Sequence, residues 1–300
     1  MPPEEQTYAG AGVSLATADS VVERLRTAVE STGASGFGAF AGVFPLDERR
    51  LLAASMDSIG TKPIVARPRG ALRACGADMA AHCINDVITT GADPLFVLDY
   101  VAASRIDLDQ VAELVEGAAE VCRLAGVALV GGETAELPDV YRADELDFAA
   151  TCVGIVERDR LIDASAVVEG DLVVGLASAG VHANGFTLVR RVLELEDYDG
   201  PDLLAPTRLY LDDVRRLRDT AHAFAHVTGG GIEGNLRRVL PPALDVQIDW
   251  SAWERQPVFG WLAHHVEEDE LRRVFNLGIG YCAVVSEPGE DLVIGRVVRA

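Results

Sequence analysis

The segment Leu51-Leu-Ala-Ala-Ser-Met-Asp57-Ser-Ile-Gly60-Thr-Lys62 joins a short apolar run to a polar turn that contains glycine. The apolar run predicts a β-strand over residues 51–56, and Asp57 follows where this strand ends. Glycine in such a turn lets backbone N–H groups come close to an anion, and the cation Lys62 follows Gly60 two residues later. The segment therefore predicts a strand that leads into a candidate phosphate site.

Further strand-like and helical runs alternate along the rest of the chain. The other predicted strands are 95–103, 127–130, 148–156, one that begins at 172, 244–248, 281–285 and 292–297. A capping box at Ser20-Val-Val-Glu23 predicts a first helix. The other predicted helices are 76–90, 107–125 (ending at Gly126), 185–195, 208–220, 232–239 and 258–265. With a polar boundary at 157–160, the pattern predicts an α/β protein of the α+β type in two domains, residues 1–157 and 158–300.

Composition excludes several classes of function. The 300 residues carry a formal net charge of −21, which argues against nucleic acid as a partner. No apolar run has membrane-spanning length, so we expect no membrane association. The start, Met1-Pro-Pro-Glu-Glu5, lacks the features of a secretory signal. Five cysteines without a C-x-x-C pair predict reduced thiols in a cytoplasmic protein.

Four glycine clusters lie at predicted junctions between strands and helices. They are Gly33-Ala-Ser-Gly36-Phe-Gly38, Ser58-Ile-Gly60-Thr61-Lys62, Gly131-Gly132-Glu133-Thr134 and Thr228-Gly229-Gly230-Gly231. None matches the P-loop or the Rossmann fingerprint. One cluster alone indicates only a turn, but four in one chain, three of them with a charged or hydroxyl neighbour, favour phosphate binding.

Acidic residues at the ends of predicted elements form a second group. Asp57 ends a strand, Asp86 lies on a helix, Asp99 interrupts an apolar strand and Glu133 lies in a glycine turn. A buried carboxylate is costly unless it is paired or binds a metal ion. Mg²⁺ prefers a few carboxylates together with nucleotide oxygens, which suits scattered acids. The alternative for each acid is a helix cap or a surface ion pair.

Two histidines and one lysine stand out among the remaining polar residues. His182 lies in a polar turn after a strand, and His226 immediately precedes the triple glycine. The other four histidines have helical or surface settings, which favour structural roles. Of the 26 basic residues only Lys62 is a lysine, so we expect it to contact a phosphate as a compact charge. The alternative is an exposed ion pair.

Taken together, these segments resemble the phosphoribosylformylglycinamidine cyclo-ligase family, the AIR synthetases. The match runs from Tyr8-Ala-Gly-Ala-Gly12 to Phe275-Asn-Leu-Gly-Ile-Gly280. Besides the glycine clusters, it includes Cys83-Ile-Asn85-Asp86, Leu98-Asp99-Tyr100, His182-Ala-Asn184-Gly185, Leu204-Ala-Pro-Thr-Arg208-Leu-Tyr210 and His226-Val-Thr228. No single segment identifies the family, but their order and spacing do. The sequence departs from the family pattern in a shorter loop before Gly36 and in an abbreviated carboxyl-terminal region.

The resemblance implies a homodimer in which the amino-terminal sheets of two subunits close a shared β-barrel, with ATP bound nearby. It implies the conversion of formylglycinamidine ribonucleotide (FGAM) and ATP to aminoimidazole ribonucleotide (AIR), ADP and phosphate. Asp57, Asp86 and Glu133 would handle Mg²⁺, and Lys62, His182 and His226 would be catalytic. The nucleotide- and phosphate-binding residues would be Gly36, Gly38, Gly60, Thr61, Asn85, Gly131, Gly132, Thr134, Asn184, Thr228, Gly229 and Gly230.

Two other functions are open at this point. One is a different ATP-using member of the same superfamily, such as a dehydratase or a small-molecule kinase. The segment Leu204-Ala-Pro-Thr-Arg208 together with His226 disfavours it. The second is a catalytically silent nucleotide-binding paralogue. The presence of four residues disfavours it: Asp57, Lys62, Asp86 and Glu133.

Overall fold

Two five-stranded sheets, one in each half of the chain, organise the protein in the computed structural model, which describes residues 6–33 and 38–300. The strands are β1 (Gly42–Pro45), β2 (Arg50–Ser58), β3 (Asp93–Ala103), β4 (Ala128–Glu136), β5 (Leu146–Glu157), β6 (Leu172–Ala177), β7 (Ala221–His226), β8 (Leu244–Ile248), β9 (Ile279–Val285) and β10 (Val293–Arg299). The helices are α1 (Leu15–Glu30), α2 (Lys62–Ala66), α3 (Leu72–Ile88), α4 (Leu108–Ala125), α5 (Phe186–Leu193), α6 (Pro201–Leu204), α7 (Leu211–Leu217), α8 (Gly231–Arg237), α9 (Pro257–Leu262) and α10 (Glu268–Val274). Short 3₁₀ turns follow α2 and β5 at Arg67–Arg69 and Arg158–Arg160.

The first sheet has the strand order β1-β2-β5-β3-β4 and is antiparallel except between β3 and β4. Helices α3 and α4 cover one of its faces. They cross closely because each has a glycine at the contact. A Cβ atom on Gly76 would lie 1.8 Å from the carbonyl oxygen of Leu114, and one on Gly117 would lie 2.0 Å from that of Arg73. The close crossing holds α3 against the sheet, and most of its side chains are buried.

No element among residues 6–33 and 38–300 covers the opposite face of the first sheet. It exposes apolar side chains from three strands, among them Phe44 (66% exposed), Met56 (67%) and Leu98 (40%). The strand register places Met56, Thr151 and Leu98 in one row across the sheet. The sheet does not close into a barrel within one chain.

The second sheet has the order β7-β9-β6-β10-β8 and is antiparallel throughout. Its strand β9, which lies between β7 and β6, is buried along its whole length. The structure is thus a mixed α/β fold with two sheets, as the sequence predicts. Among the described helices none is both long and apolar enough to cross a membrane.

The sequence predicts several element ends correctly and others wrongly. Gly126 ends α4 with a left-handed conformation, as predicted. Asp107, the first residue of the predicted helix, lies just before α4 and caps it through its side chain. The predicted capping box at Ser20 is wrong, because α1 begins six residues earlier with Ser14 as its cap. The sequence predicts no strand where β7 lies and no helix where α10 lies. The two elements have only six and seven residues and few large apolar side chains, so the pattern on which such predictions rest is short.

Candidate functional site

Two carboxylate–histidine pairs lie where the two halves of the chain meet. At the end of β7, His226 Nδ1 is 2.8 Å from Asp86 Oδ1 on α3. The other oxygen of this carboxylate, Oδ2, accepts a hydrogen bond of 2.9 Å from Ser55 Oγ on β2. The pair therefore ties the second sheet to the first sheet and its covering helix.

The second pair joins Asp57 at the end of β2 to His82 on α3. His82 Nδ1 lies 3.3 Å from Asp57 Oδ2, and the His82 ring meets the His226 ring edge to face, with centroids 4.9 Å apart. Both imidazoles are buried, whereas the Asp57 side chain is 41% exposed. Asp57 is thus the solvent-exposed member of the cluster, and the two buried histidines hold the carboxylates of Asp57 and Asp86 in place. The helical setting of His82 favours only a structural role, because its position on α3 does not show its partners.

The charges of these groups depend on burial and on their partners. Burial opposes ionisation of Asp57, but the hydrogen bond and charge of His82 outweigh it and lower the pKa of Asp57. Burial likewise opposes protonation of His82, but the hydrogen bond to Asp57 and the charge of that carboxylate outweigh burial and raise the pKa of His82. For His226, burial dominates and lowers the pKa, although its bond to Asp86 acts in the opposite direction. The cluster therefore holds its open carboxylate ionised.

His182 lies in the turn after β6 with a left-handed backbone conformation, φ 65°. Its Nε2 atom accepts hydrogen bonds from the backbone N–H groups of Ala179 (3.1 Å) and Arg208 (3.4 Å). Burial lowers its pKa well below the usual value, so the ring is neutral. The sequence predicts a catalytic contact, but the side chain is 1% exposed and holds the turn to the 204–210 segment instead.

Lys62 is neither an open phosphate ligand nor an exposed ion pair, the two alternatives that the sequence analysis considers. Its side chain is fully buried, and Nζ lies 2.7 Å from Asp78 Oδ2, whose side chain is also fully buried. Nζ also donates to the carbonyl oxygens of His182 (2.7 Å) and Ala205 (3.3 Å). The ammonium group is therefore surrounded by one carboxylate oxygen, with which it forms an ion pair, and two carbonyl oxygens, to which it donates hydrogen bonds. Lys62 therefore connects the first half of the chain to two segments of the second.

Asp78 and Asn85 on α3 fix the segment from Ala205 to Tyr210. Asp78 Oδ1 accepts hydrogen bonds of 2.8 Å from both the backbone N–H and the hydroxyl of Thr207. Asn85 donates to the carbonyl of Arg208 and accepts from the N–H of Tyr210. Asn85 is predicted to bind nucleotide or phosphate, but here its side chain is buried, and its amide nitrogen and oxygen both bond to the backbone of this segment. Sequence reasoning misses Asp78, which carries no motif signal.

The triple-glycine turn after β7 is organised by Asn235 on α8. The Asn235 amide donates to the carbonyl oxygens of Thr228, Gly229 and Gly231, and its own oxygen accepts from the Thr228 hydroxyl. Gly230 and Gly231 have positive φ angles. A Cβ atom on Gly229 would lie 3.8 Å from Asn184 Oδ1. The structure therefore brings Asn184, Thr228, Gly229 and Gly230 together, as half-exposed groups beside the cluster.

The Gly131-Gly132-Glu133-Thr134 segment is predicted as a turn, and this is wrong because it lies within β4. A register row crosses the sheet from Asp57 through Ala150 and Asp99 to Gly132. Three strand spacings separate Asp57 from Gly132, which is about 14 Å. Gly131, Gly132, Glu133 and Thr134 therefore lie apart from the Asp57–Asp86 cluster within one chain.

The remaining predicted residues lie near the first glycine turn and the amino-terminal loop. Gly60 has a positive φ of 62°, and the Thr61 hydroxyl lies 3.1 Å from that of Thr187 on α5. The carbonyl oxygen of Gly38 accepts a hydrogen bond from Arg238. Gly36 lies outside the described residues.

A Mg²⁺ ion bound with a nucleotide fits the chemistry of these donors. Within residues 6–33 and 38–300 no group of three or more His, Cys, Asp or Glu side chains is arranged to hold a metal ion alone. Mg²⁺ usually takes one or two protein carboxylates and completes its shell with phosphate oxygens and water. The half-exposed carboxylate of Asp57, with Asp86 nearby, would provide such a partial site.

Family models match both halves of the chain. Residues 38–156 match the model for the AIR synthase related protein, N-terminal domain, and residues 168–296 match that for the C-terminal domain. A phosphoribosylformylglycinamidine cyclo-ligase from Nitrosococcus oceani is 43% identical over 96% of this chain and 87% of its own length. The chain belongs to the phosphoribosylformylglycinamidine cyclo-ligase family. A second family member, from Synechococcus sp. strain CC9605, is also 43% identical, over 96% of this chain and 90% of its own length.

Solved structures outside this family share the fold. The thiamine monophosphate kinase of Aquifex aeolicus superposes with a TM-score of 0.64 at 16% identity, over 95% of this chain and 96% of its own. T. maritima PurL complexed with ADP gives a TM-score of 0.58 at 19% identity, over 89% of this chain and 43% of its own. At such identities the likeness extends to the fold alone.

Proposed function

We propose that the protein catalyses the ATP-dependent cyclisation of FGAM to AIR, with release of ADP and phosphate, in purine biosynthesis. The observation that supports this most is the 43% identity to named cyclo-ligases over 96% of the chain. The cluster of Asp57, His82, Asp86 and His226 supports it too, because it presents an ionised carboxylate beside a glycine turn.

The reaction needs activation of an oxygen that is a poor leaving group. ATP transfers its γ-phosphate to the formamide oxygen of FGAM, and ADP departs. A nitrogen of the amidine then attacks the activated carbon, loses its proton and expels the oxygen as phosphate. Catalysis of this kind consists mainly of positioning and charge neutralisation. No covalent protein intermediate is required.

The residues have distinct tasks in this proposal. Asp57 and Asp86 would hold Mg²⁺, which neutralises charge on the transferring phosphate when it is bound. His82 and His226 orient these carboxylates. The N–H groups of Gly229 and Gly230, with Thr228 and Asn184, would face the reacting groups, whereas the N–H of Gly231 donates to the Thr228 carbonyl. Lys62 acts as a positioning residue, because its buried charge holds the His182 turn and Ala205 in place.

We further propose a homodimer in which the apolar face of the first sheet packs against its counterpart and closes a shared barrel. Apolar surface of this extent is unusual on a monomer. The dimer would also allow Glu133, which is remote from Asp57 within one chain, to reach the site of the partner subunit. We also propose that the chain consists of two domains, residues 1–157 and 158–300, and that the protein is cytoplasmic. Five buried cysteines without a disulfide support a reducing compartment.

We expect the purified protein to release ADP only when FGAM, ATP and Mg²⁺ are all present, because transfer requires the formamide oxygen as acceptor. ADP release is measured with a coupled assay, and AIR by the colour of its diazotised aminoimidazole. Equal ADP release without FGAM would contradict the ligase function and favour an ATPase or a kinase.

We expect light scattering to give twice the 31.9 kDa chain mass for the wild type. Met56→Glu combined with Leu98→Glu should give the monomer, since two charges would be buried without partners. Leu124→Glu is the matched control, because Leu124 is 78% exposed on α4, on the other side of the sheet. A wild type that scatters as one chain at micromolar concentrations would refute the dimer.

A further inference from the structure

A small cavity lies beside helix α5, outside the carboxylate–histidine cluster. It has a volume of about 140 Å³ and is lined by Ala11, Thr187, Arg190, Arg191 and Glu194. Thr187, Arg190, Arg191 and Glu194 are spaced by three or four residues, so they share one face of the helix. The cavity is about ten times larger than the minimum that holds one water molecule.

The charge of this cavity is unusual for the chain. Arg191 is paired with Glu194 at 3.3 Å, so one positive charge, that of Arg190, is left over. Arg190 is half-buried, and within the described part of the chain its guanidinium has no hydrogen bond or ion pair. In a protein with a net charge of −21, a recessed guanidinium without an acidic partner indicates a place for an external anion.

Two contacts connect the cavity to the reacting centre. The Thr187 hydroxyl lies 3.1 Å from that of Thr61, in the turn that follows Asp57. Asn184 lies directly before α5 and beside Gly229 of the triple-glycine turn. A helix rises 1.5 Å per residue, so Arg190 is about 9 Å from Asn184 along the axis. The cavity is thus placed for the end of a ligand that is remote from its reacting atoms.

We propose that Arg190 and Thr187 form an anion subsite that takes the 5′-phosphate of the ribonucleotide substrate. The inference rests on the proposed function, since FGAM is the ligand that has both a reactive formamide and a remote phosphate. Arg190 supplies the charge and two N–H donors, and the Thr187 hydroxyl supplies a third donor. The ATP phosphates belong instead beside Asp57 and Asp86, where Mg²⁺ would be held.

The test replaces Arg190 with Met, which retains the aliphatic stem and removes the charge. We expect the KM for FGAM to rise at least about tenfold, as for a lost charge-assisted hydrogen bond, while the KM for ATP stays unchanged. The preference for FGAM over the corresponding nucleoside, which lacks the phosphate, should fall by the same factor. Arg296→Met is the matched control, because Arg296 is exposed on β10 and has no partner among the described residues.

Titration calorimetry with ribose 5-phosphate tests the subsite independently of the proposed function. Ribose 5-phosphate should bind the wild type and the Arg296→Met variant equally, and the Arg190→Met variant at least about tenfold more weakly. This binding experiment shows whether the subsite exists even if the wild type does not cyclise FGAM. Thr187→Ala should weaken binding and Thr187→Ser should restore it, which covers the case in which Arg190→Met does not fold. A raised KM for ATP, or unchanged binding of ribose 5-phosphate in both the Arg190 and Thr187 variants, would overturn the subsite.

Discussion

Lys62→Met is expected to destabilise the protein by about 3–5 kcal/mol, the usual effect of removing one partner of a buried ion pair. Asp78 has a fully buried side chain, and Lys62 is its cationic partner. Without the ammonium group this charge is buried without compensation, and the carbonyls of His182 and Ala205 lose a donor. The melting temperature should fall by about 10 °C. Scanning calorimetry and urea unfolding measure both quantities.

A double-mutant cycle shows whether the loss comes from the isolated charge. Asp78→Asn keeps the Oδ1 acceptor for Thr207 and removes the charge, so Lys62→Met with Asp78→Asn should recover much of the stability. Arg299→Met is the control, because the ion pair of Arg299 with Glu169 is exposed and contributes at most about 1 kcal/mol. Lys62→Arg should also destabilise, since a larger group does not fit a fully buried space. If Lys62→Met changes stability no more than Arg299→Met, the positioning role is wrong.

Asp86→Asn is expected to lower kcat by about 10²–10³, the range for removing one preorganised polar group from a site of this kind. The carboxylate accepts from His226 and from Ser55, and in the proposal it also holds Mg²⁺. The asparagine amide has the size of the carboxylate but no charge. Its NH₂ group donates hydrogen bonds where a carboxylate oxygen accepts them. The fold should persist, because α3 remains packed on the sheet. Steady-state kinetics with saturating FGAM, ATP and Mg²⁺ provide the measurement.

The chain offers a matched control for this variant in another carboxylate–histidine pair, whose carboxylate is buried. Asp171 Oδ2 lies 2.7 Å from His222 Nδ1 and accepts from the N–H of Val168. This pair lies at the start of the second sheet, away from the cluster. Asp171→Asn should change stability and leave kcat within about twofold. An equal loss of kcat in both variants would mean that Asp86 acts only through the fold.

The local features of this structure could be predicted from the sequence because they depend on neighbouring residues. The cap at Asp107, the end of α4 at Gly126 and the apolar run of β2 all follow from local patterns. The site residues at the ends of elements, Asp57 and Asp86 among them, could be proposed from the cost of burying a carboxylate.

The partners of the buried polar groups could not be predicted in the same way. Lys62 meets His182 and Ala205 only after both halves of the chain have folded, and no local pattern records that contact. His82 and Asp78 lie on α3, where almost every position is buried. Helical periodicity therefore does not separate the face that packs from the face that forms the site.

The central claim is that ATP activates the formamide oxygen of FGAM, and isotope transfer tests it most directly. FGAM labelled with ¹⁸O in the formyl group is incubated with the protein, ATP and Mg²⁺, and the released phosphate is analysed by mass spectrometry. The account predicts one ¹⁸O atom in the phosphate for each AIR formed, because the formyl oxygen leaves with the transferred phosphoryl group. AIR that forms with unlabelled phosphate would contradict it.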